Sequence, residues 1–268
     1  VALGFTLVFG VSRVLNLAYG ALYMVTAYTV YDLVVERGWS VYPSAAVGLG
    51  VCVLIGVSVY LLCSRWAPDP MRFLISTLLI ALFLQYLLSY YFQGEVGLTI
   101  PGLIAGPSVL VLGVSVSPIF LLAGAASVLL LALVGAWVEW HPYGRLLRAT
   151  SEDPEVVSLF GIDPRRVSLV VVGVSSLLVG AAAVLIVPAE VVTPTMWIEP
   201  FVIAFVVTIV GGLGKFRWTL PASFLVAFTE VVVLFWTPYA ISDVVAFLVA
   251  IAFILVRPQG MGGSGAGS

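Results

Sequence analysis

The chain has 268 residues, 62% of them hydrophobic and 9% charged, with a mean hydropathy of +1.20 and a net charge of −2. A soluble domain carries roughly 25% charged residues, so the composition excludes an ordinary soluble globule, and no basic excess points to a nucleic-acid partner. Cys52 and Cys63 lie in one apolar run. Their separation is about 16 Å of helical rise, too far for a disulfide within one helix, and two buried thiols are expected.

Residues 1–12 are apolar and would form a helix of only about 18 Å, against roughly 30 Å of hydrocarbon. They read as a half-helix or a span cut short, and no charged signal-peptide region precedes them. Eight candidate spans follow Arg13: 14–35, 43–64, 73–92, 118–138, 167–189, 200–214, 218–236 and 239–256. Four of them (43–64, 73–92, 118–138 and 167–189) carry no charge. Span 200–214 is short and ends in Gly211-Gly-Leu-Gly214. Such segments are either broken helices near a transport route or helices loosened for close packing. The fold expected is all-α and polytopic, with about eight transmembrane helices, a truncated or half first helix and some broken helices. Residues 1–260 form one membrane domain, and the linker-like tail 261–268 is expected to be disordered.

The longest polar stretch is 139–167, with nine charged side chains: Glu139, Arg145, Arg148, Glu152, Asp153, Glu155, Asp163, Arg165 and Arg166. Ser151 or Asp153 would cap a short helix over 154–160, with Pro154 in its first turn and Gly161 stopping it. Leu146, Leu147, Val156, Val157, Leu159 and Phe160 would give this hairpin an apolar side, suited to docking on something in the aqueous phase. Placing the loop in the cytoplasm puts Arg13, Arg65, Arg72, Arg145, Arg148, Arg165, Arg166, Lys215, Arg217 and Arg257 inside and only Arg37 outside, in accord with the positive-inside rule. The outer loops are then 36–42, 93–117, 190–199 and 237–238. Loop 93–117 contains a β-hairpin expected over 109–116 that turns at Gly113. Loop 190–199 carries Glu190 and Glu199 and no base. A faint internal echo aligns Gly10, Arg13 and Ala18 with Gly214, Arg217 and Ala222.

Enzyme chemistries find little support. The one histidine, His141, sits in the polar loop, no Gly-x-Ser-x-Gly occurs, and no metal-ligand set clusters. Gly211-Gly-Leu-Gly-Lys215-Phe216 fails as a phosphate loop, with Ile209 in place of the first Gly and Phe216 in place of Ser or Thr. Any ATPase is therefore another subunit. Within the spans Asn16, Asp32, Gln85 and Glu230 are polar. Glu230 reads either as a pathway residue or as a hydrogen-bonded group between helices. A secondary transporter or channel without an ATPase is the alternative reading; it calls for more intramembrane ionisable groups.

Four stretches together resemble the permease subunits of branched-chain amino acid ABC importers. Phe9-Gly-Val-Ser-Arg-Val-Leu-Asn-Leu-Ala-Tyr-Gly20 is similar to the family's opening signature, although Tyr19 and Ala21 stand where His and Glu are usual. Pro142 to Ile162 looks like its coupling loop, with Val156 and Val157 in place of Ala. Val210-Gly-Gly-Leu-Gly214 and Arg257-Pro-Gln-Gly260 match later signatures. The resemblance implies a transporter subunit without enzymatic activity or cofactor, in the cell (plasma or inner) membrane. Its partners would be ATPase subunits in the cytoplasm, a second permease, an extracytoplasmic solute-binding protein and membrane lipid. Arg13, Asn16, Tyr19, Gly211, Gly212, Gly214 and Glu230 would shape the substrate path. Gly144, Arg145, Arg148, Asp153, Glu155, Gly161 and Ile162 would serve coupling.

In a cysteine-free background, a membrane-impermeant maleimide added outside should label Ser108→Cys and spare Ser151→Cys. The reverse pattern would invert the topology.

Overall fold

A computed structural model describes residues 1–12, 14–67, 69–92, 109–111, 114–212, 216–236 and 248. Among the described residues the fold is all-α and polytopic apart from one small hairpin. Its helices are α1 (Ala2–Ser12), α2 (Ala18–Tyr31, continued by a π-helical turn Asp32–Glu36), α3 (Val41–Trp66), α4 (Pro70–Tyr91), α5 (Pro118–Trp140), α6 (Pro142–Glu152), α7 (Pro154–Leu159), α8 (Pro164–Ile186), α9 (Ile198–Gly211) and α10 (Phe216–Trp236). Strands β1 (Val109–Val111) and β2 (Val114–Val116) pair antiparallel, with Val111 opposite Val114, so the expected hairpin is present.

Proline sets much of the punctuation. Helices α4, α5, α6, α7 and α8 all begin on a Pro, and the residue before each is extended. The ring fixes φ for the first helical turn and pushes the preceding residue out of the helical region. Spans expected to start at 73 and 167 therefore start at Pro70 and Pro164.

Among the described residues, α3, α4, α5 and α8 are long and apolar enough to cross a membrane, whereas α1, α9 and the apolar part of α10 are shorter. The span expected over 14–35 has a non-helical start, because α2 begins only at Ala18. The short span expected over 200–214 runs from Ile198 to Gly211 and stops at Gly212, whose φ of +95° takes the chain out of the helix. The span 239–256, apart from helical Leu248, and the tail 261–268 lie outside the described residues. Ala18 and Ala222 of the internal echo are both buried, but α9 packs along α10 while α1 does not pack along α2. Both cysteines are free and buried, as expected.

Helix α8 is the hub, packing on α3, α1 and α2. The contacts depend on small residues, which let helix backbones approach where no hydrophobic effect drives them together. A Cβ at Gly4 would lie 3.0 Å from the Ser175 carbonyl oxygen. One at Gly56 would press on the Ser176 hydroxyl and come within 2.9 Å of the Ser176 Cβ. One at Gly180 would lie 3.1 Å from Cys52 Sγ. Helix α5 is the opposite case: only Ile119, Ala123 and Val138 along it are buried.

Gly56→Val should force α3 and α8 apart and lower the unfolding free energy in detergent by roughly 1–3 kcal/mol, the usual cost of overpacking. Gly50→Val, at a position with nothing within 4 Å of an added Cβ, should be nearly neutral in the same thermal or denaturant titration.

Candidate functional site

Two regions gather the residues singled out by sequence. The first is the break between α1 and α2. Backbone amides away from water need partners within the protein, and here side chains supply them. The Asn16 Oδ1 accepts the Ala18 N–H at 3.0 Å, and the Thr77 hydroxyl oxygen of α4 accepts the Leu17 N–H at 3.2 Å. Asn16 and Thr77 are both buried. Tyr19 is fully buried, with its hydroxyl beside those of Ser175 and Ser176; none of the three has formed hydrogen-bonding geometry. Arg13 lies outside the described residues.

Gly20 makes room for an aromatic wedge. The Trp197 indole lies against the Gly20 Cα, in a notch that a Cβ would fill, with Phe201 closing the other side. The Trp197 Nε1–H donates to the Gln85 Oε1 at 2.9 Å. Trp197 ends the non-helical connection from α8 to α9, in which Val192 is also buried. Sequence reading noted Gln85 only as a polar residue in a span and passed over Trp197. The signal available was an amide side chain in the middle of a largely apolar helix, which implies a partner. Glu190 in this connection and Glu199 in the first turn of α9 lie near each other. The Glu190 carboxyl is held above the usual carboxylate range by desolvation and then by the charge on Glu199, with a hydrogen bond from the Tyr23 hydroxyl opposing the rise.

The glycines ending α9 and the carboxylate of α10 stand apart from this break. Gly211 packs on the backbone of α10, where an added Cβ would lie 3.2 Å from the Trp218 carbonyl oxygen. Gly214 lies outside the described residues. Glu230 is half-buried on α10, which packs on α9, α1 and α5 and not along α2. Threonines join α1, α9 and α10: Thr6 and Thr208 hydroxyls are 3.1 Å apart, and Thr219 reaches Thr6 at 3.4 Å.

The second region is the polar hairpin, where the structure holds all seven residues assigned to coupling. It contains two helices rather than one. Helix α6 starts at Pro142 with the His141 Nδ1 accepting the Tyr143 N–H, so the single histidine serves as a helix cap. Gly144, Leu147 and Thr150 form its buried face at helical spacing. A Cβ at Gly144 would collide with the Val138 carbonyl and stand 2.6 Å from the Trp137 carbonyl oxygen. The Arg148 guanidinium donates to the Glu139 carbonyl at 3.0 Å, satisfying an open group at the end of α5. Arg145 is exposed.

Asp153 caps α7, its Oδ1 accepting the N–H groups of Glu155 at 2.9 Å and Val156 at 3.1 Å. Glu155 lies in the first turn, where a negative charge suits the helix dipole. Helix α7 runs from Pro154 to Leu159, one residue short of the helix expected over 154–160. Gly161 ends the turn with φ +78°, and Ile162 packs back on the core. Around Gly161 an added Cβ would meet nothing within 4 Å. The turn therefore needs glycine for its backbone conformation and not for a close approach within this chain. The apolar side divides. Leu147 and Val157 are buried, Leu146 is half-buried, and Val156, Leu159 and Phe160 face outward, the last two about 80% exposed.

The family described as "Branched-chain amino acid transport system / permease component" matches residues 1–254. The chain is 24% identical to the high-affinity branched-chain amino acid transport system permease protein LivH of Escherichia coli, over 97% of this chain and 89% of that protein. It is 26% identical to the corresponding BraD protein of Pseudomonas aeruginosa, over 97% and 90%. A probable branched-chain amino acid transport permease protein LivH of Methanocaldococcus jannaschii is 26% identical over 98% and 87%. No solved structure matches significantly.

Asn16→Ala should strand the Ala18 N–H in a buried break and lower stability by about 1 kcal/mol, as loss of a capping side chain does. Asn16→Asp, which keeps the acceptor, should preserve more of it. Equal thermal stability of Asn16→Ala and the parent chain would show that the cap is dispensable.

Proposed function

The chain belongs to the family of permease components of branched-chain amino acid transport systems, and on that premise we propose that it is the membrane subunit of an ABC importer. It is not itself an enzyme. Its cargo is a branched-chain or related hydrophobic amino acid, and its site is the cell membrane, with about eight spans. ATPase subunits bind on the cytoplasmic side, a second permease completes the membrane unit, and an extracytoplasmic binding protein delivers substrate.

The observation that carries this reading is the outward face of α7. Val156, Leu159 and Phe160 project from a polar hairpin whose Leu147 and Val157 turn inward. Large apolar side chains gathered at an aqueous surface mark an interaction site. The hairpin is also braced: Gly144 sits hard on the end of α5, Arg148 ties α6 to the Glu139 carbonyl, and Ile162 leads directly into α8. A push on α7 is thereby delivered to α5 and α8 rather than absorbed by a loose loop. Arg145, Asp153 and Glu155 supply the polar rim around the apolar contact.

For the substrate path we assign Arg13, Asn16 and Tyr19 at the α1–α2 break. The end of α9 at Gly211 and Gly212 and the half-buried Glu230 would line a separate stretch, to which Gly214 is assigned from its place in the sequence alone. Support for the break comes from its buried, non-helical backbone, which costs free energy unless neighbouring elements satisfy it.

Gly161→Asp should leave the permease inserted and able to receive the binding protein, because nothing within the chain is crowded there. The added side chain strains a turn at φ +78° and projects toward the docking side. Substrate-stimulated ATP hydrolysis and uptake should both be abolished in the reconstituted complex. Parental rates for both would overturn the coupling assignment.

A further inference from the structure

Three hydroxyls meet inside the packed hub without a hydrogen bond among them. Tyr19 of α2 and Ser175 and Ser176 of α8 are fully buried, and each hydroxyl lacks a partner. A buried hydroxyl left unpaired costs free energy. Other buried hydroxyls in these helices take the usual remedy. Those of Thr6, Thr26 and Thr208 donate to the carbonyl four residues back, at 2.9, 2.8 and 2.8 Å. The same bond is open in principle to both serines within α8, and neither makes it. Gly56 of α3 keeps room for the Ser176 hydroxyl, since an added Cβ would collide with the Ser176 Oγ. Two helices thus hold three polar groups open toward one place.

The chemistry of that place favours an anion. Tyr19 is the second residue of α2, the helix that begins at the break. Helical side chains lean toward the N-terminus, where aligned peptide dipoles attract negative charge. A carboxylate only accepts, and its bonds from O–H donors are short and charge-assisted. An ammonium would call for an acidic partner, and among the described residues no Asp or Glu is buried. The hub around the hydroxyls is apolar, with Leu22, Val171, Val172 and Val179 buried in it.

We propose that Ser175 and Ser176, together with Tyr19, bind the carboxylate of the amino acid as it passes the α1–α2 break. Parting of α2 from α8 admits the cargo, and three donors without partners then gain one. The proposal rests on the reading of the break as the substrate path; the two serines and the group they recognise are what it adds.

The test uses the reconstituted importer complex with its binding protein, in two arms. The first asks whether the path runs here. Cys52 is fully buried, with its Sγ 3.1 Å from the Ser176 carbonyl oxygen. In a Cys63→Ser chain, a small methanethiosulfonate should modify Cys52 during ATP turnover and not at rest. Isocaproate, a carboxylate without an ammonium, should slow that modification several-fold, and isoamylamine should not. No modification during turnover would remove the path from this place and the proposal with it. Protection by the amine, or by neither compound, would overturn the carboxylate assignment. The second arm combines Ser175→Ala with Ser176→Ala. Deleting unpaired hydroxyls loses no bond of the closed form, so thermal stability should be equal or higher. Amino acid moved per ATP hydrolysed should nonetheless fall about tenfold, the scale of one hydrogen bond to a charged group. Thr26→Val, which loses a back-bonded hydroxyl of α2, should keep the parental ratio. Modification of Cys52 in turnover together with a parental ratio in the double variant would leave the path standing and overturn the role of the serines.

Discussion

A membrane interior supplies no water to pair with exposed backbone groups, and that constraint governs how this chain departs from simple helices. It departs at two places beside the start of α2. Below Ala18 the amides of an unwound segment are taken up by Asn16 and Thr77. Beyond α8 a non-helical connection is buried at Val192 and Trp197 and pinned through Gln85. Each irregular stretch is tolerated because neighbouring helices bring polar side chains to it. Those helices can come close because Gly4 and Gly56 face α8 without a side chain and Gly180 of α8 does the same toward Cys52 of α3. Close packing around α8 and satisfied irregular backbone are two parts of one solution.

Much of this was legible in the residues, and the failures have physical causes. Charge-free apolar length identified α3, α4, α5 and α8, because a spanning helix needs little more than length and apolarity. Gly161 was readable as a helix stop, and its positive φ agrees. Asp153 was one of two residues expected to cap α7, and it does so. Helix α6 was missed because hydropathy alone sees only a polar loop; the cue was Pro142 together with small or apolar residues at Gly144, Leu147 and Thr150. Apolar composition also overstated the docking face. It could not tell that Val157 turns inward while its neighbour Val156 turns outward.

The partner of Gln85 was beyond sequence reading for a different reason. Trp197 lies 112 positions away, and its place depends on the absent side chain of Gly20 on a third element. Neither residue announces the other by spacing. The same holds for Tyr19, whose surroundings of Ser175 and Ser176 come from α8. Glu230 was grouped with the other polar span residues by chemistry alone, and the structure places it on α10, which packs on α9, α1 and α5.

The wedge of Trp197 on Gly20 has a consequence for how the chain comes to its final shape as it is made. Segments enter the bilayer in the order of synthesis, so α2 is present before α4 and long before α9. Until α4 arrives the Leu17 amide has no Thr77 to meet, and until α9 arrives the notch at Gly20 has nothing in it and Gln85 has no indole to hold. The first membrane helices therefore stay unfinished through most of synthesis, and it is the arrival of a late aromatic side chain that closes them.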